Sequence, residues 1–458
     1  MRPATPLLFS ISLLVIGVTG AFAQEGGWYT EGDFAPKVRV KLEIVNTLDL
    51  DRKNCPITIT RSQIPVKDIT ELSINVIDPS LPGVPQPTKE ELSLGGGHRI
   101  QKETNGHQLY SQYDDIDRDG IGDEFFFMTD LKASETKTLY LYFGFSQRGW
   151  NVHGTHGAIG SYSHHLIPFW ESANVGWKLW YPTDADLYGK RKNVLMSNEL
   201  YMKNLNGYAV PFDYGSDIMR VDDSFGAGGI CLFEVPARPD SASRPRFTSV
   251  KTEFKPDRVW NGGQLSDTRY AFEVIVNGPM RSMIKAKTMN WNTGAGTYEL
   301  EQIYTAYTNQ NYSTCRVHYT KFNPRNPGTM FGCGIRKIVG EYDSYHEGNT
   351  VITTGNDEVT APDDPTGLSK LKVQYIATAL IVKDSFRPQF QFVPARQGNY
   401  TFKVPVDKDR AFEYLIAAGW SEGAVLNKAP AFKEYILKTA REYNNPPVIK
   451  LGAVERKK

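Results

Sequence analysis

Between residues 163 and 191 the chain concentrates side chains able to move protons and to stack on flat ligands. The run reads Ser163-His164-His165, then Phe169-Trp170-Glu171-Ser172, then Gly176-Trp177-Lys178-Leu179-Trp180-Tyr181, then Asp186-Leu187-Tyr188-Gly189-Lys190-Arg191. An indole ring offers an apolar surface on which one face of a pyranose rests, while charged groups bond its hydroxyls. Imidazole titrates near neutral pH and serves as base or acid. Trp170 and Trp177, with Tyr214 and Arg220 further along, are candidate substrate-binding residues. Any one of these Trp residues alone reads more readily as core; the combination with His, Glu, Lys and Arg makes the stretch a candidate site.

A second motif is Asp115-Ile116-Asp117-Arg118-Asp119-Gly120-Ile121-Gly122-Asp123-Glu124. Acids at alternate places, then a glycine that allows a sharp turn, then another acid, match the first ligands of a calcium loop. Ca²⁺ takes six to eight oxygens, and without a cation clustered carboxylates repel one another. Asp115, Asp117, Asp119, Ile121, Asp123 and Glu124 form the candidate ligand set. The loop departs from the helix–loop–helix pattern because Phe126 stands where that pattern has Glu, and a strand-like run follows. Structurally it also reads as a solvated acidic turn, and a bound Ca²⁺ would staple the loop rather than react.

Other stretches carry weaker signals. Ser224-Phe225-Gly226-Ala227-Gly228-Gly229-Ile230 lacks the Gly-Lys-Ser/Thr ending of a phosphate loop, so it implies no nucleotide. Close backbone packing at a strand edge or cleft wall suits it better. Arg281 follows a Gly278-Pro279 turn and is a candidate for gripping a carboxylate in two bonds, or for a surface ion pair. Tyr304 and Tyr307 sit in a strand-like run, as ordinary strand formers or as phenols able to move a proton.

The elements that must hold these groups are strands. Apolar and polar residues alternate over 38–46, 71–76, 124–129, 137–143, 269–276, 283–288, 297–307, 313–319 and 372–381. The expected fold is mainly β: a small N-terminal β-sandwich, a large antiparallel β-sandwich and a C-terminal helix. Residues 431–443 carry apolar groups at helical spacing before Pro446-Pro447, and 408–417 is a shorter helix candidate. Glycines between 144 and 160 place a boundary there, giving units at 24–148 and 149–458.

At the start, Met1-Arg2, an apolar run to Val18 and Ala21-Phe22-Ala23 have the three parts of a secretory signal, so 1–23 is expected to be removed and Gln24 to lead an exported chain, periplasmic or released. The net charge is +1 and the mean hydropathy −0.41, which implies neither a nucleic-acid partner nor a membrane span. Cys55, Cys231, Cys315 and Cys333 show no metal spacing; a Cys315–Cys333 bridge and four buried thiols are the two readings.

The series Phe169-Trp170-Glu171-Ser172, Asp186 to Arg191, Gly215-Ser216-Asp217-Ile218, Phe225 to Gly229 and Gly278-Pro279-Met280-Arg281-Ser282 resembles a family of secreted bacterial proteins filed under a domain of unknown function. The acidic loop and the tail around Trp420 fit as well. That family occurs among proteins that degrade pectin, ulvan and other uronic-acid polysaccharides. The resemblance implies a mutarotase-like supersandwich and work on uronic-acid oligosaccharides. The chain departs from the pattern between Tyr201 and Tyr214, where histidines are expected.

From this follows an expected reaction, elimination across C4–C5 of a uronate by a lyase or dehydratase. Arg191 or Arg281, with Lys190 near, would neutralise the C6 carboxylate. His164 or His165 would take the C5 proton, with Tyr188 in reserve, and Tyr304, Tyr307 or Glu171 would protonate the leaving oxygen. The alternatives are hydrolysis by Glu171 with Asp186 or Asp217, and glycan binding without turnover.

Overall fold

Along strand Val38–Val45, Val40, Leu42 and Ile44 are fully buried while Lys41 and Glu43 stay partly exposed, the side-chain alternation of a strand with one face on a core. The computed structural model describes residues 27–457 except 30–33, 35, 68–73, 82–88, 94–105, 146–150, 163–164, 181–183, 200–211, 222–223, 239–241, 246–247, 252–262, 266–267, 361–365, 367–369 and 395–397. The expected signal 1–23, His164 and the stretch after Tyr201 lie outside the described residues.

Two small sheets enclose one core. The first has the strand order Val448–Arg456, Val38–Val45, Thr136–Phe143, Ile74–Asp78 and His107–Gln108; the second runs Arg52–Thr60, Glu124–Leu131 and Ser111–Asp114. Val40, Leu42, Ile57, Ile59, Phe125, Phe127, Leu139 and Leu141 fill the space between. The expected division after residue 148 leaves out one strand of this sandwich. Val448–Arg456 returns to pair with Val38–Val45, Val40 facing Val454 and Ile44 facing Ile449.

Two large antiparallel sheets stack on a second core. One has ten strands, with the main order Gln389–Val393, Asn399–Val404, Met330–Arg336, Gly228–Phe233, Asp184–Lys190, Val175–Trp180, His165–Ser172 and Thr155–Tyr162; Gly215–Asp217 and Ala242–Ser243 attach beside Asp184–Lys190 and Gly228–Phe233. The other has eight, in the order Arg269–Asn277, Arg281–Asn292, Gly296–Tyr307, Tyr312–Pro324, Ala411–Trp420, Lys370–Val382, Thr350–Thr360 and Gly340–Glu347. Trp170, Trp177, Leu187 and Ile230 from the first meet Ile284, Leu300, Tyr304 and Ile416 from the second.

Gly228–Phe233 packs closely, as expected of this glycine run at a strand edge or cleft wall, but it is a central strand rather than an edge. The preceding turn needs Gly226: its φ is +56°, and a Cβ there would lie 2.2 Å from the Ala185 carbonyl oxygen.

The helix Ala429–Asn444 lies on the outer face of the eight-stranded sheet, where Phe432 and Ile436 pack against Ala377, Ala379, Leu415 and Ala417. Burying each of those two side chains contributes about 1.5–3 kcal/mol, which matters because an isolated helix of this length is marginal in water. The shorter helix expected at 408–417 is instead the strand Ala411–Trp420. Phe412, Tyr414, Ile416 and Trp420 face the core while Leu415 and Ala417 lie under the helix, so burial on both sides erased the alternation that marks a strand.

All four cysteines are free and buried. Burial pushes the Cys55 and Cys315 thiols up to about 12 and moves Cys231 and Cys333 upward as well. Folded protein should therefore resist a thiol-labelling reagent and label fully only after denaturation; rapid labelling of the native chain would contradict this packing.

Candidate functional site

Strand Asp184–Lys190 is buried along its whole length. Ala185 and Leu187 point into the core between the large sheets. By alternation Asp184, Asp186, Tyr188 and Lys190 point to the opposite, outer face. Register extends this face across five strands. His156 stands opposite Glu171, Glu171 opposite Gly176, Gly176 opposite Tyr188, and Tyr188 opposite Asp217. In the adjoining row Phe169 faces Lys178 and Lys178 faces Asp186. Gly176 is required there, because a Cβ would come within 2.7 Å of the Phe169 ring.

Lys178 is the hub. Its Nζ donates to the Tyr188 hydroxyl at 3.0 Å and to Asp217 Oδ2 at 3.0 Å, and lies 3.1 Å from Asp186 Oδ2. Burial alone pulls Lys178 down, yet Asp217, Tyr188 and Asp186 together hold it well above the ordinary lysine value. Asp217 is pushed up to about 7, first by burial and then by Asp186, with Lys178 opposing. Burial also raises Asp186 and Tyr188. Two carboxyls and one ammonium thus share a site closed to water, and one carboxyl keeps its proton near neutrality.

A second buried pair lies beside it. Lys190 Nζ donates to Glu171, and also to the carbonyls of Ser172 at 2.5 Å and Val194 at 2.8 Å. Glu171 accepts the backbone N–H groups of Met196 and Ser197, each at 2.9 Å, which pins 194–197 to the sheet. Burial lowers Lys190 while Glu171 pulls it back. At the more open end His156 Nδ1 sits 2.5 Å from Ser197 Oγ and 3.9 Å from Glu171 Oε1. Burial lowers the His156 imidazole, opposed by Glu171.

The sequence candidates divide. Glu171, Tyr188 and Lys190 share the outer face. Arg191 borders it, donating to the Phe212 carbonyl at 2.5 Å, Ser216 Oγ at 2.9 Å and Glu422 at 2.6 Å, with its guanidinium 5.0 Å from the Trp420 ring. Tyr214 packs against the group Phe169, Tyr188 and Met196, and Arg220 is exposed nearby in sequence. Trp170 and Trp177 are fully buried on the other face, stacked at 6.2 Å, and Tyr304 lies 4.5 Å from Trp170, so all three are core. His165 is in an edge-side strand by its backbone, and its side chain, like all of His164, lies outside the described residues.

Arg281 is elsewhere. It joins the two sandwiches, its Nε 2.7 Å from Asp114 and its Nη2 2.8 Å from Glu124. Of the groups expected for elimination, Lys190, Tyr188 and Glu171 share the outer face with Arg191 beside it, Arg281 and Tyr304 lie elsewhere, and the side chains of His164 and His165 lie outside the described residues. Sequence reasoning passed over His156, Ser197 and the central place of Lys178. His156 fell in the glycine-rich stretch read as a boundary, and pairing partners far apart in sequence leave no local mark.

In the acidic loop, ligand oxygens of Asp115, Asp117 and Asp123 lie within 4.8 Å of one another. Asp119 is not in that group, Ile121 is exposed, and Glu124 is engaged by Arg281. Backbone amides already shape the turn: Arg118 and Gly120 donate to Asp115 at 2.8 and 2.9 Å, and Ile116 to Asp123 at 2.7 Å. Three carboxylates fit part of a calcium shell. If Ca²⁺ belongs there, adding it should raise the melting temperature and a chelator should reverse the gain; identical melting in both would sink the calcium expectation.

Residues 44–449 match the profile of a family described as "Domain of unknown function (DUF4861)". No curated protein matches the chain. Among solved structures the chain is similar to a protein in the glycosyl hydrolase family 38 from Enterococcus faecalis, at 10% identity and a TM-score of 0.41, over 91% of this chain and 47% of that one. It is similar also to an alpha-mannosidase from Enterococcus faecalis V583, at 10% identity and a TM-score of 0.39, over 92% and 46%. The chain spans about half the length of the solved structures it matches. Both structures are named for hydrolases, whereas the sequence reading leans to a carbon–oxygen lyase, and that reading is withdrawn. Among the described residues no helix is long and apolar enough to cross a membrane.

Proposed function

Since the chain belongs to the DUF4861 family, whose description leaves activity open, we propose from the site itself that it hydrolyses a glycosidic bond in uronic-acid-containing glycans of the pectin or ulvan type. The observation that carries this reading is the proton balance at Asp186 and Asp217. Two buried carboxyls, both raised and one of them to about 7, meet on the same Lys178, which brings together the kinds of group that acid–base cleavage of a glycoside uses. The polar row from His156 to Asp217 spans four strand spacings, roughly 19 Å, room for several sugar units. Arg191 and Lys192 at its edge suit a uronate carboxylate. Met196 and Tyr214 pack with Tyr188 beside the row.

The test is incubation with galacturonan, ulvan and glucuronan fragments. New reducing ends without the ultraviolet absorbance of an unsaturated uronate are expected, and Asp217→Asn should slow their release by about 100-fold or more. No reducing ends from folded protein, or full activity in Asp217→Asn, would defeat the proposal. One observation favours a second reading, glycan binding without turnover: Asp186 and Asp217 are 3% and 0% exposed. Saturable binding with no new ends would select it.

A further inference from the structure

A cavity of about 540 Å³ opens on the small sandwich, its described lining sharing no residue with the ten-stranded sheet, and it lies within the size range of ligand sites, about 300–1,000 Å³. It forms where strand Arg52–Thr60 passes into the turn Arg61–Gln63 and meets the start of strand Glu124–Leu131. Thr60 stands opposite Glu124 in the ladder, and the Arg61 N–H donates to the Asp123 carbonyl at 2.7 Å, so strand pairing fixes the walls.

Arg61 and Lys67 bring two cations to it, Thr60 and Ser62 two hydroxyls, and Asp123 and Glu124 two carboxylates. Val66 is the one apolar side chain among the lining residues described. A ligand here is held by charge and hydrogen bonds. Arg61 is steadied by Tyr113, its Nη1 3.3 Å from the phenol oxygen, and Lys67 by the Ile64 carbonyl at 3.0 Å. Asp123 gives Oδ2 to the amides of Ile116 and Asp117, and Glu124 gives Oε2 to Arg281, which leaves Asp123 Oδ1 and Glu124 Oε1 outside those bonds.

We propose that this cavity is a carbohydrate-binding site for a uronic-acid unit, separate from the sheet site. Arg61 and Lys67 take the sugar carboxylate; the hydroxyls of Thr60 and Ser62 and the remaining carboxylate oxygens take the ring hydroxyls. A neutral sugar would leave the two cations without their partner, and a phosphate or sulfate alone would face Asp123 and Glu124. The ligand class follows from these charges and does not depend on hydrolysis at the sheet.

The experiment is an NMR titration of the full chain with galacturonate and glucuronate, and with galactose and glucose as neutral controls. The uronates should shift the amides of 60–67 and 123–124, the neutral sugars should not, and added salt should weaken the effect. Arg61→Ala with Lys67→Ala should weaken the uronate binding read at 123–124 about tenfold or more, while the uronate shifts at 60–67 should not depend on Asp217. Absence of uronate shifts at 60–67, equal shifts with neutral sugars, equal binding by the Arg61/Lys67 variant, or loss only in Asp217→Asn would each overturn the inference. None of these results decides whether reducing ends appear, so the two proposals fail separately.

Discussion

Replacing Lys178 with Met should destabilise the protein by about 3–5 kcal/mol near neutral pH, because it leaves Asp186 and Asp217 buried without their cation. The methionine keeps most of the volume, so the loss reports charge rather than a cavity. The pH dependence follows from the raised carboxyls. A carboxyl with a folded value above its unfolded one binds extra protons in the folded state, so its contribution is fully present below the unfolded value and lost as pH rises through the folded value. For Asp217 that window runs from its ordinary 3.8 to about 7. Without Lys178 both carboxyls move further up, so the deficit should grow as pH rises and narrow toward pH 4. Denaturant melts at pH 5 and pH 8 test it. Adding Asp217→Asn to the variant removes one uncompensated charge and should recover part of the loss at pH 8. A deficit equal at both pH values would mean that the Lys178 contribution is packing alone.

Arg281→Met should cost a similar amount, about 3–5 kcal/mol, for a different structural reason. Arg281 is 3% exposed and belongs to the large sandwich, whereas its partner Asp114 belongs to the small one. Its guanidinium also lies 4.4 Å from the Phe126 ring, a contact Met replaces in part. Burial raises Asp114 and Arg281 opposes that rise, so the variant should lose most stability at higher pH. Beside this clasp, Gln112 accepts the amides of Met280 and Arg281 at 2.8 and 3.0 Å. Arg52 from the small sandwich reaches the end of the helix at the Asn445 carbonyl, 2.5 Å away. Gln310 also donates to the Asn54 carbonyl at 3.1 Å and Arg118 pairs with Glu273 at 3.2 Å; weakening one of several such links should broaden unfolding or divide it into two steps. A single transition at the wild-type midpoint would show that Arg281 does not couple the sandwiches.

Much of the architecture was legible in local pattern. The strands at 38–45 and 297–307, and the first half of 370–382, show apolar alternation that can be counted along the chain, since one side of each is less buried than the other. The helix near 430–443 shows its stripe and its proline stop for the same reason. The ten-stranded sheet was far less legible. Asp184–Lys190 and Gly228–Phe233 are buried on both faces, so polar and apolar residues do not sort by exposure, and the signal that marks a strand is lost.

Part of the candidate site was named in sequence, Glu171, Tyr188 and Lys190 among it, but not His156 or Ser197, and not the grouping. Composition and spacing determined that the chain is β-rich, that Glu171, Tyr188 and Lys190 lie close in sequence among aromatic residues, and that Asp115 to Glu124 form an acidic turn. Tertiary structure decided which of them meet. A one-residue step along a strand sends a side chain to the opposite face, so Trp170 entered the core while Glu171 turned to the outer side. Register across five strands then brought His156 and Asp217 into the same row, and tertiary packing set Arg281 of the large sandwich against Asp114 and Glu124 of the small one. Alternation is a property of neighbouring residues and can be read along the chain; register joins residues tens to hundreds of positions apart, and only the folded sheet specifies it.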